Sequence, residues 1–123
     1  ADGGTRVASI CGGLLALHDA LSRLKAKKQI FDHPILEACA AVSVGIINGE
    51  ARLDLPYEED SKADTDMNVV MTESGEFIEI QGTAEKFSFS KDELSSLLAL
   101  AEKGINEIIA LQKELLKTPP QMR

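Results

Sequence analysis

The first apolar stripe of the chain has the three-and-four spacing of an amphipathic helix. It runs from Val7 to Leu24, and residues 25–29 form a basic, loop-like stretch that ends it. Gly12 and Gly13 weaken this helix by up to ~1 kcal/mol each relative to Ala, so tertiary packing must hold it. The pattern predicts an opening helix that depends on the rest of the fold.

The middle of the chain changes to patterns that are typical of β-strands. Residues 38–47 form a nearly continuous run of small and β-branched residues, and Asn48-Gly49 after it is a strong hairpin signal. Apolar and polar residues then alternate over 51–55, so one face of that strand is buried. A second pair of strands is predicted at 67–72 and 77–81. We therefore predict four antiparallel strands in a meander.

The last third of the chain predicts a long helix. Ser90-Lys91-Asp92-Glu93 has the form of a capping box, in which Ser90 caps the helix and Glu93 reaches back to it. An apolar stripe then continues from Leu94 to Leu116, before Pro119-Pro120. The order of helix, four strands and helix predicts an α+β fold in one unit that covers residues 1–123.

Composition narrows the classes of function. The 123 residues include 13 Lys and Arg against 20 Asp and Glu, a net charge of −7, which argues against a free-standing nucleic-acid binder. Hydrophobic residues make up 44% of the chain, enough for a core. No apolar run approaches the roughly 18 residues of a membrane span. Cys11 and Cys39 have neither metal-ligand nor redox spacing, so reduced thiols in an intracellular protein are expected.

Two segments are candidates for chemistry. Gly3-Gly4-Thr5-Arg6 stands at a predicted helix entrance, where unpaired backbone N–H groups and a guanidinium suit an anion such as phosphate. A capped helix start with a solvated Arg6 is the more common interpretation of such spacing. Carboxylates crowd the segment from Glu58 to Asp66, and a hard divalent cation would relieve their repulsion. A solvated acidic loop is again the more common interpretation.

Taken in order, these segments resemble the C-terminal half of the bacterial ribonuclease PH family. The matching motifs are Ala1-Asp2-Gly3-Gly4-Thr5-Arg6, Ala41-Val42-Ser43-Val44-Gly45-Ile46, Glu58-Glu59-Asp60-Ser61 with Asp66-Met67-Asn68-Val69-Val70-Met71-Thr72, and Glu79-Ile80-Gln81-Gly82-Thr83-Ala84-Glu85. The resemblance covers essentially the whole chain and outweighs both of the more common interpretations. It also implies that an N-terminal half is absent, which fits the abrupt start at a helix entrance.

The resemblance implies a phosphorolytic 3′→5′ exoribonuclease that trims the 3′ end of precursor tRNA. Inorganic phosphate attacks the terminal phosphodiester and releases a nucleoside diphosphate. Carried over by position, Gly4, Thr5 and Arg6 hold the phosphate. Asp60 and Asp66 are expected to bind a catalytic Mg²⁺, and Asp66 to assist proton transfer to the leaving oxygen. The helix entrance and the two aspartates must then face each other across one cleft.

The resemblance also implies partners and a place in the cell. Family members form homo-hexameric rings in the cytoplasm, act on RNA, take part in tRNA and rRNA processing, and make no use of a membrane. Three alternatives stay open: a catalytically silent subunit of an exosome-like ring, a related domain of polynucleotide phosphorylase, and a plain metal-binding module. The joint presence of Arg6, Asp60 and Asp66 weighs against a silent subunit, and a metal-binding module leaves residues 3–6 unexplained.

Overall fold

The computed structural model describes residues 2–120 and contains three helices and four strands. The helices are α1 (Thr5–Ala26), α2 (Tyr57–Asp60) and α3 (Lys91–Leu116), and the strands are β1 (Cys39–Ile47), β2 (Glu50–Leu53), β3 (Thr65–Thr72) and β4 (Phe77–Ala84). The predicted α+β class, both long helices and all four strands are confirmed. The single turn of α2 was not predicted, because four residues carry no readable helical period.

The four strands form one antiparallel sheet in the order β2-β1-β3-β4. The hairpin between β1 and β2 turns at Asn48-Gly49, as predicted. The meander is wrong in one respect, since β3 pairs with β1 and not with β2. The physical reason lies in β1, which is buried over seven of its nine residues and needs hydrogen-bonding partners on both edges.

The core lies between the sheet and α3. Alternate residues of β1 and β3, such as Val44 and Val69, are fully buried against the apolar stripe of α3, which includes Leu97 and Ile105. The capping box forms as predicted: the Glu93 N–H donates to Ser90 Oγ at 3.1 Å, and the Ser90 N–H donates to Glu93 Oε1 at 3.0 Å. This cap fixes where α3 begins and therefore which of its faces meets the sheet.

Helix α1 packs along the other face of the sheet and along the open edge of β1. Val7 is buried with Ala41 and Val70, which have the opposite parity to the core residues. Farther along, Cys11 Sγ lies 3.3 Å from both the backbone nitrogen and the backbone oxygen of Ala41. These contacts occur beyond the last residue of β1 that pairs with β2. They anchor the N-terminal half of α1, so its entrance has a fixed place above the sheet.

By length and composition α1 is apolar enough to cross a membrane, with a mean hydropathy of 1.2 over 18 of its 22 residues. The expectation that no segment reaches span length is therefore not met for α1. The reason is that Ala residues between the large apolar residues of the stripe raise the average hydropathy. A single helix of this kind is weak support for a membrane span, because a helix packed in a folded domain passes the same test.

Candidate functional site

The entrance of α1 is built from two glycines in the left-handed region. Gly3 has φ 82° and Gly4 has φ 61°, and Gly4 is the N-cap without any side-chain cap bond. The first intrahelical bond is donated by the Ala8 N–H to the Gly4 oxygen at 2.9 Å. The N–H groups of the first turn thus lack helical partners and carry the positive end of the helix dipole. This is a local environment that favours an anion.

Backbone contacts hold this entrance against the segment that carries Asp60. The Tyr57 N–H donates to the Asp2 oxygen at 3.1 Å, which joins the turn before α1 to the start of α2. A Cβ at Gly3 would collide with the Leu55 carbonyl, so only glycine allows this approach. Asp60 is the last residue of α2. The close approach therefore places the Asp60 carboxyl near the helix entrance.

Strands β1 and β3 supply the floor of the site. Asp66 and Asn68 on β3 pair with Gly45 and Ser43 on β1, and directly opposed residues share one face of a sheet. Met67 between them points to the core. The alternation of polar and apolar residues along β3 thus directs its polar side chains to the face on which Val7 packs.

These elements meet in one pocket of about 140 Å³. Its lining residues are Gly4, Thr5, Arg6, Val7, Ser43, Asp60, Asp66 and Asn68. The expectation that the helix entrance and the two aspartates share one cleft is confirmed by this geometry. A larger cavity of about 450 Å³ lies between α1, β1 and α3, but its lining is mainly apolar and includes neither aspartate. The candidate phosphate-binding and metal-binding residues lie together in the smaller pocket.

The charged form of the Asp66 carboxyl is unfavourable in its surroundings. Burial raises its pKa above the usual value, and repulsion from Asp60 and Glu85 raises it further, while a hydrogen bond with the Met67 backbone lowers it. A cation beside Asp66 would remove the repulsion. The structure therefore offers a physical reason for a positive charge at this wall of the pocket.

The polar groups at this wall are oxygen donors of the kind that Mg²⁺ binds. No cluster of three or more His, Cys, Asp and Glu side chains is arranged for a metal within residues 2–120. The donors are two carboxylates and the amide of Asn68, whose Nδ2 donates to Gln81 Oε1 at 3.3 Å and so leaves Oδ1 as an acceptor. Mg²⁺ typically binds through one or two carboxylates and keeps several waters. Asp60 and Asp66 would hold it, with Asn68 at their side.

Arg6 has a partner that the sequence analysis missed. Its Nη2 lies 2.6 Å from Glu79 Oε2 and 2.9 Å from Glu79 Oε1. Both bonds use the same nitrogen, so Nε and Nη1 are available as donors for a ligand. Glu79 stands on β4 opposite Val70, on the face of the sheet that bears the site. The polar alternation of Glu79, Gln81 and Thr83 marks this face, but no local pattern joins residues 73 positions apart.

The two histidines and the two cysteines of the chain do not line this pocket. The rings of His18 and His33 stack with centroids 4.2 Å apart, and Ser22 Oγ lies 3.3 Å from a ring nitrogen of each. Neither histidine lines the pocket that contains the aspartates. Cys11 and Cys39 are free and half-buried. His18, Cys11 and Cys39 lie on apolar segments and serve packing, and His33 lies in the loop before Pro34.

Comparison with known proteins assigns the chain to a family. The model of the 3′ exoribonuclease family, domain 2, matches residues 38–104, so the chain belongs to the 3′ exoribonuclease family. It is 57% identical over 119 residues to Ribonuclease PH from Corynebacterium kroppenstedtii. Among solved structures, rice (Oryza sativa) Rrp46 has a TM-score of 0.69 at 17% identity, which shows a shared fold.

The extent of these matches is informative. The alignment with Ribonuclease PH covers 97% of this chain and 47% of the relative, so the chain spans about half the length of that protein. The match to Rrp46 likewise covers 95% of this chain and 50% of the other. Together with the match to domain 2, this corresponds to the C-terminal half of a ribonuclease PH, which confirms the resemblance drawn from the motifs.

Proposed function

We propose that this chain is the C-terminal half of a phosphorolytic 3′→5′ exoribonuclease that trims the 3′ end of precursor tRNA. The observation that carries the proposal is the pocket in which an anion-binding helix entrance faces two aspartates. Phosphorolysis brings two polyanions together, so it needs cationic and N–H groups for one and a metal for the other. Membership of the 3′ exoribonuclease family supports the same reaction class.

The helix entrance binds the attacking phosphate in this proposal. The unpaired N–H groups that follow Gly4, the Thr5 hydroxyl and the Arg6 guanidinium are donors matched to phosphate oxygens. Since all of them belong to one rigid turn, they orient the phosphate as well as hold it. A bound Mg²⁺ at Asp60 and Asp66 supplies positive charge for the scissile phosphodiester.

The reaction breaks one bond and forms another. An oxygen of inorganic phosphate forms a bond to the terminal phosphorus, and the bond from that phosphorus to the 3′ oxygen of the preceding nucleotide breaks. The terminal nucleotide leaves as a nucleoside diphosphate, and the 3′ oxygen takes a proton. We assign the assistance of that proton transfer to Asp66 because of its place in the pocket beside Asp60.

The proposal includes partners that lie outside this chain. The net charge of −7 leaves the RNA contacts to an N-terminal half and to neighbouring subunits of a homo-hexameric ring. An apolar surface on β4, the edge strand, supports such assembly, since the side chains of Phe77, Ile78 and Ile80 are exposed there. Free Cys11 and Cys39 fit the reducing cytoplasm that we propose.

Replacement of Arg6 tests the phosphate site. In the complete polypeptide, Arg6→Ala removes a charge-assisted contact worth ~1.5–3 kcal/mol, so the KM for phosphate should rise at least tenfold. Arg52→Ala is the matched control, because Arg52 pairs with Glu50 and Glu59 away from the pocket. Unaltered phosphate dependence in Arg6→Ala would show that the helix entrance has been assigned wrongly.

Replacement of Asp66 tests the metal site. Asp66→Asn should abolish RNA turnover while the thermal unfolding profile stays that of a folded protein. Asp64→Asn is the control, because Asp64 neighbours the same strand but does not line the pocket. Wild-type rates in Asp66→Asn would reject the metal role. If Arg6→Ala and Asp66→Asn both behave as expected, the alternative of a catalytically silent subunit of an exosome-like ring is excluded.

A further inference from the structure

One buried polar group in the pocket has no partner. Ser43 is 5% exposed, and among residues 2–120 its Oγ makes no hydrogen bond. A buried hydroxyl without a partner is uncommon in folded proteins and calls for an explanation, such as a ligand. The only other buried side-chain atom of this kind in the described part of the chain is Gln112 Oε1. The amide nitrogen of Gln112 already donates to the carbonyls of Cys11 and Cys39.

The position of Ser43 relates this hydroxyl to the helix entrance. Ser43 has the same parity on β1 as Ala41, whose side chain packs against Val7 in the first turn of α1. Ser43 is thus the next residue along that face, and it lines the pocket together with Thr5 and Arg6. Ser43 therefore lies on the floor of the pocket, next to the strand residue on which the first turn of α1 packs.

We propose that Ser43 is a further phosphate-binding residue, whose hydroxyl donates a hydrogen bond to an oxygen of the bound phosphate. This inference rests on the proposed function, since it assigns phosphate to the pocket. A neutral hydroxyl is a weak ligand for Mg²⁺ beside two carboxylates. An anionic phosphate oxygen, in contrast, is a strong acceptor for the hydrogen bond that the Ser43 hydroxyl donates. The bond joins β1, the central strand, to the ligand that α1 binds.

The test is calorimetric titration of inorganic phosphate into the complete polypeptide without metal. Ser43→Ala should weaken phosphate binding about tenfold or more, the usual effect of losing a hydrogen bond to a charged group. Ser95→Ala, an exposed serine on α3, is the matched control and should bind as the wild type. In separate titrations, Mg²⁺ affinity should be the same in Ser43→Ala and the wild type.

Thermal unfolding without phosphate separates a binding role from a structural one. Since the hydroxyl has no protein partner, Ser43→Ala should unfold at the wild-type temperature or above it. Equal phosphate affinity in Ser43→Ala and the wild type, or a clear loss of stability in the variant without phosphate, overturns the assignment of Ser43. If the wild type binds no phosphate, or Arg6→Ala binds as tightly as the wild type, the proposed function itself fails and Ser43 falls with it.

Discussion

The ion pair between Arg6 and Glu79 affects both the position of the Arg6 guanidinium and the charge that an incoming ligand encounters. Both side chains are partly exposed, 53% for Arg6 and 34% for Glu79, so water screens their attraction. The pair aligns the guanidinium above the sheet, but its carboxylate also repels an incoming anion. In the proposed enzyme, phosphate binding must therefore overcome the charge of Glu79 while it uses the nitrogens of Arg6 that Glu79 does not contact.

Glu79→Gln should tighten phosphate binding by up to about fivefold, because the variant removes the repulsion and keeps an oxygen that can accept from Arg6. Calorimetric titration of phosphate at low ionic strength measures the effect. Glu76→Gln, in the turn between β3 and β4, is the control. Weaker binding by Glu79→Gln would instead mean that the carboxylate is needed to position Arg6.

At the scale of elements, β1 organises both the core and the site. Val44 and its alternates pack against α3, while Ser43 and Gly45 face the pocket side. Gly45 pairs with Asp66, and a Cβ there would lie 2.6 Å from the Thr65 oxygen and 2.5 Å from Leu55 Cδ1. The absence of a side chain lets Leu55, which is 1% exposed, fill this space beside the acidic wall.

Gly45→Ala should lower the free energy of unfolding by about 1–3 kcal/mol, because the added methyl meets backbone that cannot move cheaply. Gly13→Ala is the opposite control: apart from the neighbouring residues and backbone of its own helix, no described atom lies within 4 Å of a Cβ at Gly13, and alanine favours the helix by up to ~1 kcal/mol. Urea unfolding of both variants tests the pair. Equal stability of Gly45→Ala and the wild type would contradict this packing.

An ion pair between Glu73 and Lys113 connects the turn after β3 to α3. Glu73 Oε1 lies 2.9 Å from Lys113 Nζ, and the hydrogen bond with Lys113 lowers the pKa of Glu73 below its ordinary value, with a smaller contribution from the Ala38 N–H. A carboxyl with a lowered pKa stabilises the fold above its unfolded pKa, and that contribution is lost as the pH falls through the folded value.

As the pH falls from neutral through the lowered pKa of Glu73, Glu73→Gln should therefore lose less stability than the wild type, whereas at neutral pH it should be the less stable of the two. Melting temperatures across this range provide the measurement, with Glu102→Gln, exposed on α3, as the control. Parallel pH curves for the wild type and Glu73→Gln would contradict the role of the pair with Lys113.

Strand patterns show how far the sequence alone could lead. Alternation and the hairpin signal predicted the strands, and the capping box at Ser90 predicted where α3 begins. The pairing of β3 with β1 was not predicted, because both β1 and β2 are antiparallel candidates and the choice depends on contacts distant in sequence. The continuous run of small and β-branched residues over 38–47 was a usable signal, since apolar residues on both faces are typical of a central strand, and β1 is indeed buried almost throughout.

At the scale of the whole molecule, groups of opposite charge meet in one place. One pocket brings together the unpaired N–H groups of the helix entrance, Arg6, and the carboxyls of Asp60 and Asp66, although the net charge of the chain is −7. Motif resemblance located the helix entrance and both aspartates. Ser43 and Glu79 stood within the matching motifs but were not singled out, because a serine in an apolar strand and a glutamate on an edge strand are common. Only the folded chain brings Ser43 to the pocket and Glu79 to Arg6.

The central claim is that phosphate, and not water, attacks the RNA. The most direct measurement incubates RNA that bears a 3′ tail with the complete polypeptide, Mg²⁺ and ¹⁸O-labelled inorganic phosphate, followed by mass spectrometry of the released nucleotides. The account predicts nucleoside diphosphates whose terminal phosphate carries the label, and no release when phosphate is left out. Nucleoside monophosphates released at the same rate without phosphate would contradict it.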